Sequence, residues 1–383
     1  MFIGTRECMA PTEALTLAAK VAGDVVRPAA PEVDRAAAFP MAGVSALAEV
    51  GLLDAALSGE YGGAGLDTAT LAGIARVLAR ACGSTAMIWA MHQVQLACVQ
   101  RHGGESGELT RRLAGSISDA GLVASVTSER GVGGDLRRSR TCCESRGARL
   151  SVVKHAPTVS YVGQATGFLI TARRGPDSSP GDQVAVFATA DQVEVTDVGR
   201  WNVLGMRGTR SPGCTIQANV DPGQVLADPF ATIASATMVP LSHILWSAVW
   251  IGLAEEALAR AIQAVRTGRR DTPDPRLADA GQRLSMLNAL SRLVIDGYEG
   301  YRGGGEPTVA FGVEVNNLKL AASTQTVRVA EAALEICGMA GYQEDGELSV
   351  TRLLRDLYSA RLMVSNSRLV ETNAVSMLLR HND

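Results

Sequence analysis

The hydrophobic period of this chain changes twice, and that double change restricts its fold more than any other feature. Up to about residue 120 apolar residues recur at helical spacing: Ala18, Val21, Ala22 and Val25 share one face, and Leu71, Ile74, Ala75 and Leu78 share another. Pro28 and Pro31 are expected to close the first helix, and a second should run from Pro40 through Val44, Leu47 and Ala48. Asp67 or Thr68 is placed to N-cap a third helix, and an apolar helix is expected over residues 87–99. From about residue 121 the pattern becomes short β-branched runs, at 121–127, 150–153, 168–172, 184–188, 193–197 and 214–220. In the last of these Cys214, Ile216, Ala218 and Val220 alternate with Thr215, Gln217 and Asn219, as in a half-buried strand. Turn clusters such as Gly175-Pro176-Asp177-Ser178-Ser179-Pro180-Gly181 separate the runs. After Pro240 the helical period returns in four long segments, 241–266, 277–300, 309–337 and 347–380. The expected fold is therefore α+β and mainly α, in three units: a helical domain over 1–120, an antiparallel β-domain over 121–235, and a four-helix bundle over 236–383.

Composition supports this and excludes several functions. Aromatic residues are only 4% of 383, so the core is built from Ala, Leu and Val, which suits closely packed helices. Thirty-six Lys and Arg against 39 Asp and Glu leave a net charge of −3, with no basic footprint for nucleic acid or an anionic membrane surface. No run of about 18 uninterrupted apolar residues exists to span a membrane. The first 20 residues carry Arg6, Glu7 and Glu13 without an apolar core, so a cytoplasmic protein is expected. Seven cysteines (Cys8, Cys82, Cys98, Cys142, Cys143, Cys214, Cys337) without CxxC spacing fit free thiols in a reducing compartment. Five histidines, none in an HxxxH pair, give no reason to expect a metal site.

Four local patterns, in order along the chain, resemble the acyl-CoA dehydrogenase superfamily. Glu60-Tyr61-Gly62-Gly63-Ala64-Gly65-Leu66 is similar to its E-x-Y-G-G-x-G-L turn, and Ser128-Glu129-Arg130-Gly131-Val132-Gly133-Gly134-Asp135 to its T-E-P-x-A-G-S-D segment. Trp201-Asn202-Val203-Leu204-Gly205-Met206-Arg207-Gly208-Thr209 resembles W-x-x-x-G-M-R-x-T, and Ile336-Cys337-Gly338-Met339-Ala340-Gly341-Tyr342 with Arg355-Asp356 resembles the C-terminal I-x-G-G-x-G-Y…R-D signature. The resemblance implies the same three-unit architecture, assembled as homodimers or homotetramers. It also implies FAD between the β-domain and the bundle, and an acyl thioester substrate carried on CoA or a carrier protein. In such enzymes a carboxylate abstracts the α-proton while the flavin takes the β-hydride.

Carried over residue by residue, the resemblance assigns Ser128 to the pyrimidine edge of the flavin and Thr158, in Lys154-His155-Ala156-Pro157-Thr158, to the vicinity of flavin N5. Both also read as ordinary strand-end turn residues. Gly62 and Gly63 border the acyl pocket in the family, and otherwise serve backbone conformations open to glycine. Trp201 and Arg207 read as structural anchors of the β-domain edge. The family's pyrophosphate-binding R-x-x-F-G segment is here Arg266-Thr267-Gly268-Arg269-Arg270-Asp271. Its arginines suit a diphosphate, and equally a solvated basic helix end. Glu335 replaces a glutamine before the Gly338 turn, setting a carboxylate where pyrophosphate would lie.

The largest departure concerns the base. Val364 stands where most members carry the catalytic glutamate, and Ser242 where others do; neither accepts a proton from carbon. His243 has a suitable ordinary pKa and is the substitute candidate at the pocket rim, although a lone histidine on so apolar a helix is commonly a packing residue. Asn366 can hydrogen-bond a substrate carbonyl, and Glu371 lies about 10 Å from Val364 if both share one helix. Three readings follow. One is α,β-dehydrogenation with a relocated base. The second is a base-less subunit completed by a paralogue in a hetero-oligomer. The third is flavin-dependent oxygenation or a flavin-free step on the same scaffold.

Overall fold

The computed structural model describes residues 7–118, 120–269, 274–302 and 304–379. The helical first third folds as α1 (Pro11–Val21), α2 (Arg27–Arg35), α3 (Met41–Glu49), α4 (Thr68–Ala81), α5 (Gly83–His102) and α6 (Glu108–Ser116). Asp67 caps α4, accepting from the Thr70 amide at 2.7 Å. The two prolines do not end the first helix. A π-turn over Ala22–Val26 joins α1 to α2, and the helical path continues to Arg35. Pro28 stands in the first turn of α2, where a missing amide costs little, and the wide π-turn ahead of it absorbs the change of register.

The β-domain holds β1 (Leu122–Val126), β2 (Cys143–Arg146), β3 (Arg149–Ala156), β4 (Ala165–Arg173), β5 (Gln183–Thr189), β6 (Val193–Thr196) and β7 (Cys214–Val220). They form two sheets, ordered β1-β4-β5 and β2-β3-β7-β6. Every pair is antiparallel except β1–β4, which is parallel with Ala124 opposite Phe168. The chain leaves β1, makes β2 and β3 in the other sheet, and returns to lay β4 beside β1 in the same direction. That excursion supplies the long crossover a parallel pair needs.

The C-terminal unit comprises α7 (Phe230–Ile233), α8 (Val239–Ala264), α9 (Arg276–Arg302), α10 (Val309–Cys337), α11 (Met339–Tyr342), α12 (Thr351–Leu357) and α13 (Asn366–Leu379). The helical stretch Phe230–Gly268 is apolar and long enough to cross a membrane by composition, yet 89% of its most apolar window is buried in the protein. It is the core of the bundle. A Cβ on Gly252 would lie 2.5 Å from the Arg76 carbonyl, so α8 and α4 cross in backbone contact. The fourth expected segment is not one helix. Between α12 and α13 the chain makes a 3₁₀ turn over Tyr358–Arg361, and Val364 then adopts φ +53°. A β-branched residue in the left-handed region carries strain of order 1–3 kcal/mol, which ends the helix. The spacing of Glu371 from Val364 along a single helix therefore does not apply.

The three units meet at Arg355-Asp356. Buried Asp356 accepts from the Met206 amide at 2.5 Å. Arg355 reaches Asp34 of α2 at 2.5 Å, the Leu204 carbonyl at 3.3 Å and Glu344 at 3.0 Å. Gly205 allows the approach, since a Cβ there would stand 2.0 Å from the Arg355 carbonyl. Burial raises the Asp356 pKa to about 6. Asp356→Ala strands the Met206 amide and is expected to destabilise the fold by roughly 1–3 kcal/mol, read as a lower urea midpoint in equilibrium unfolding.

Candidate functional site

Ser128 follows β1 and Thr158 follows β3, and the fold brings them together at the exposed lip of the β-domain. The Ser128 hydroxyl donates to the Thr158 carbonyl at 2.6 Å, and the Thr158 hydroxyl donates to the Ser211 carbonyl at 3.0 Å. Glu129 turns inward beneath them, accepting from the Ser139 hydroxyl and the Thr141 amide, both at 2.7 Å, with Lys154 Nζ 3.9 Å away. Burial alone would raise the Glu129 pKa, but the bonds from Ser139 and Thr141 and the Lys154 charge hold it below the usual value. Lys154 is buried and donates to the Thr171 carbonyl at 2.6 Å. Burial pushes its pKa down to about 8. This buried network fixes the turn on which Ser128 sits. A rigid polar lip of hydroxyl and peptide groups has the donor and acceptor chemistry that a flavin's pyrimidine edge requires.

A second polar cluster lies in the bundle. Lys319 of α10 reaches the break after α12, donating to the Val364 carbonyl and, at 2.6 Å, to Asn366 Oδ1. Asn366 Nδ2 in turn donates to the Ser323 hydroxyl at 3.0 Å. Position 364 thus offers Lys319 a backbone carbonyl. Burial lowers the Lys319 pKa to about 8, and no carboxylate pairs with it among the described residues. His243 is not at a rim: it is 1% exposed on α8 and hydrogen-bonds the backbone at Val315, one turn before Lys319. Burial, reinforced by the Lys319 charge, pushes its pKa to about 3. The ring is neutral, and a group so acidic when protonated is a weak base. Ser242 beside it is also buried.

The remaining candidates lie apart. Arg266 is exposed at the end of α8; the Arg269 side chain and Arg270 fall outside the described residues. Glu335 pairs with Arg276, which also binds Asp274 at 2.7 Å. Gly338 ends α10 at φ +59°. Gly62 has φ +82°, and a Cβ on Gly63 would lie 2.3 Å from the Leu57 carbonyl, so the close turn itself requires both glycines. Trp201 Nε1 donates to the Arg207 carbonyl at 3.0 Å, and Arg207 Nε to the Asp34 carbonyl at 2.7 Å, which ties the β-domain to α2. Sequence reasoning missed Lys319, Ser247 and Trp250, all fully buried. The available signal was a polar set at 243, 246, 247 and 250 within an otherwise apolar helix, and one lysine deep in another.

The unfolded chain holds a proton on Lys319 up to pH 10.5, the folded protein only to about 8. Between these values the unfolded state binds more protons, so stability rises with pH. Relative to Lys319→Met, the wild-type protein is expected to gain roughly 1–3 kcal/mol across that window, measured by urea unfolding at stepped pH.

The family model for the acyl-CoA dehydrogenase N-terminal domain matches residues 12–109, and that for the C-terminal domain matches residues 235–364. The chain is 25% identical over 350 residues to the probable acyl-CoA dehydrogenase YngJ of Bacillus subtilis, covering 88% of this chain and 89% of that one. It is 27% identical over 257 residues to a dibenzothiophene monooxygenase of Rhodococcus qingshengii, covering 64% and 60%. Among solved structures, FMN-bound TdsC of Paenibacillus sp. A11-2 superposes with a TM-score of 0.82 at 23% identity, over 96% of this chain and 97% of that one.

Proposed function

Because the chain belongs to the acyl-CoA dehydrogenase family, we propose that it is a flavin-dependent oxidoreductase that transfers oxygen to a bound organic substrate and abstracts no α-proton. One observation carries this reading: the two carboxylate positions hold Val364 and Ser242, and the histidine beside them is buried with its pKa near 3. The relative named as a monooxygenase supports it. When bound in reduced form, the flavin supplies two electrons with which dioxygen delivers one oxygen atom to the substrate and the other to water. The chain's own residues do the rest. Ser128 and Thr158 would hold and orient the isoalloxazine edge, while Lys319 and Asn366 lock the bundle segment around Val364.

FAD was the expected cofactor. An exposed Arg266 and a Glu335 carboxylate near the Gly338 turn offer little to an ADP arm, so we propose that FMN serves as well as FAD. Exposed apolar residues on the bundle, among them Met339, Tyr342, Leu293 and Leu378, support self-association as a homodimer or homotetramer. Free thiols at Cys8, Cys82, Cys98, Cys142, Cys143 and Cys214 support a cytoplasmic location.

A second reading, α,β-dehydrogenation of a CoA- or carrier-bound acyl thioester, is favoured by YngJ, which is matched along nearly its whole length. It needs a base from elsewhere, including a paralogous chain in a hetero-oligomer.

The two readings separate in one cuvette. Protein loaded with FMN or FAD is mixed anaerobically with butyryl-CoA and octanoyl-CoA, and the flavin band at about 450 nm is followed. No bleaching is expected, whereas externally reduced flavin should consume oxygen. Bleaching by either thioester overturns oxygenation in favour of dehydrogenation. Val364→Glu is expected to introduce slow bleaching. The FMN and FAD dissociation constants should agree within about tenfold, or 1.4 kcal/mol.

A further inference from the structure

α8 carries four polar atoms that are buried and have no hydrogen-bond partner: His243 Nδ1, Trp246 Nε1, Ser247 Oγ and Trp250 Nε1. Positions 243, 246, 247 and 250 follow the i, i+3, i+4, i+7 pattern, so all four side chains leave one stripe of the helix. His243, Ser247 and Trp250 are at most 1% exposed. Stranding a buried polar group costs about 1–3 kcal/mol, and four on one stripe are too many to be incidental. The stripe faces α10 at both ends. His243 hydrogen-bonds the Val315 backbone, and Lys319 Nζ lies 5.8 Å from the centre of the Trp250 ring.

Most of the stripe can donate to one acceptor. Two indoles donate only, the serine hydroxyl donates when offered an acceptor, and the nearby buried ammonium has no carboxylate partner among the described residues; the unprotonated Nδ1 of neutral His243 alone can only accept. Lys319 spends two of its three N–H groups on Val364 and Asn366, which leaves one. An alkyl chain would satisfy none of these groups. An anionic oxygen would satisfy several and would compensate the buried charge.

We propose that the α8 stripe and Lys319 form a recognition site for an oxyanion on the substrate, a carboxylate or an ionised enol or phenol, held between α8 and α10. This deepens the oxygenase reading by naming a substrate class, and rests on the substrate lying against the bundle wall. The site selects for an acidic, oxygenated compound, and the flat faces of Trp246 and Trp250 favour one built on a ring.

The four tryptophans of the chain make the test direct. Trp89 Nε1 is bonded to the Leu52 carbonyl at 2.8 Å and Trp201 Nε1 to that of Arg207 at 3.0 Å, so their indole signals are internal controls. The full-length protein, labelled with ¹⁵N-tryptophan, is titrated with sodium benzoate, and in parallel with toluene and sodium chloride. Signals are assigned from the single Trp→Phe variants. Benzoate should move the Trp246 and Trp250 indole protons downfield in a saturable way, leaving Trp89 and Trp201 in place. Toluene and chloride should not reproduce this. Lys319→Met should weaken benzoate by about tenfold, with unmoved Trp89 and Trp201 signals reporting an intact fold. Three results each overturn the proposal: no movement of either indole, equal movement with toluene, or undiminished affinity in a folded Lys319→Met. Because binding is read without turnover, failure of oxygen consumption overturns the oxygenase reading alone, and failure of the indole shift overturns this one alone.

Discussion

One adjacent pair, Arg355 and the buried Asp356, ties the three units together. Asp356 accepts from the Met206 amide, and its neighbour Arg355 clasps Asp34 from the first domain and the Leu204 carbonyl from the second. Each of these bonds crosses a boundary between units that fold on their own hydrophobic periods. Arg368 of the last helix adds a bond to the Gly133 carbonyl of the β-domain, and Arg207 one to α2, whereas apolar contact between the units is non-directional. Directional, charge-assisted bonds in a low-dielectric junction set distance and angle between the units. Gly205 belongs to the same device, because only a residue without a Cβ lets the Arg355 backbone come so close.

Much of this was legible from the sequence. Periodicity marked the helical, β and helical stretches, because burial of one face imposes a period whatever the final packing. The same reasoning erred where a local backbone choice competed with the pattern. Pro28 and Pro31 looked like terminators, but a π-turn rescued the helix. The last segment looked continuous, but Val364 breaks it at a left-handed φ that a β-branched side chain gives no reason to expect. The parallel β1–β4 pair was likewise beyond reach, since a chain returning from another sheet leaves no mark on alternation.

The site was legible by halves. Ser128 and Thr158 lie side by side, because segments that resemble a family keep its turns. His243 was singled out for its ordinary pKa, and burial removed that property. The residues that mattered beside it, Lys319 and the polar stripe of α8, carry no motif. Their meaning comes from an absence of partners, which only three-dimensional packing reveals. A lysine inside an apolar helix reads in sequence as a surface charge. In the fold it is a buried cation whose field extends over a histidine, an indole and a loop.

The way the break at 364 is held has an evolutionary consequence. Lys319 grips a peptide oxygen, so the anchoring of this loop is indifferent to which side chain sits there. The scaffold can therefore exchange residues at this position without surrendering the loop's conformation. Descent with change of reaction type then requires no intermediate that misfolds, and lineages of one ancestry can diverge in chemistry while remaining superposable.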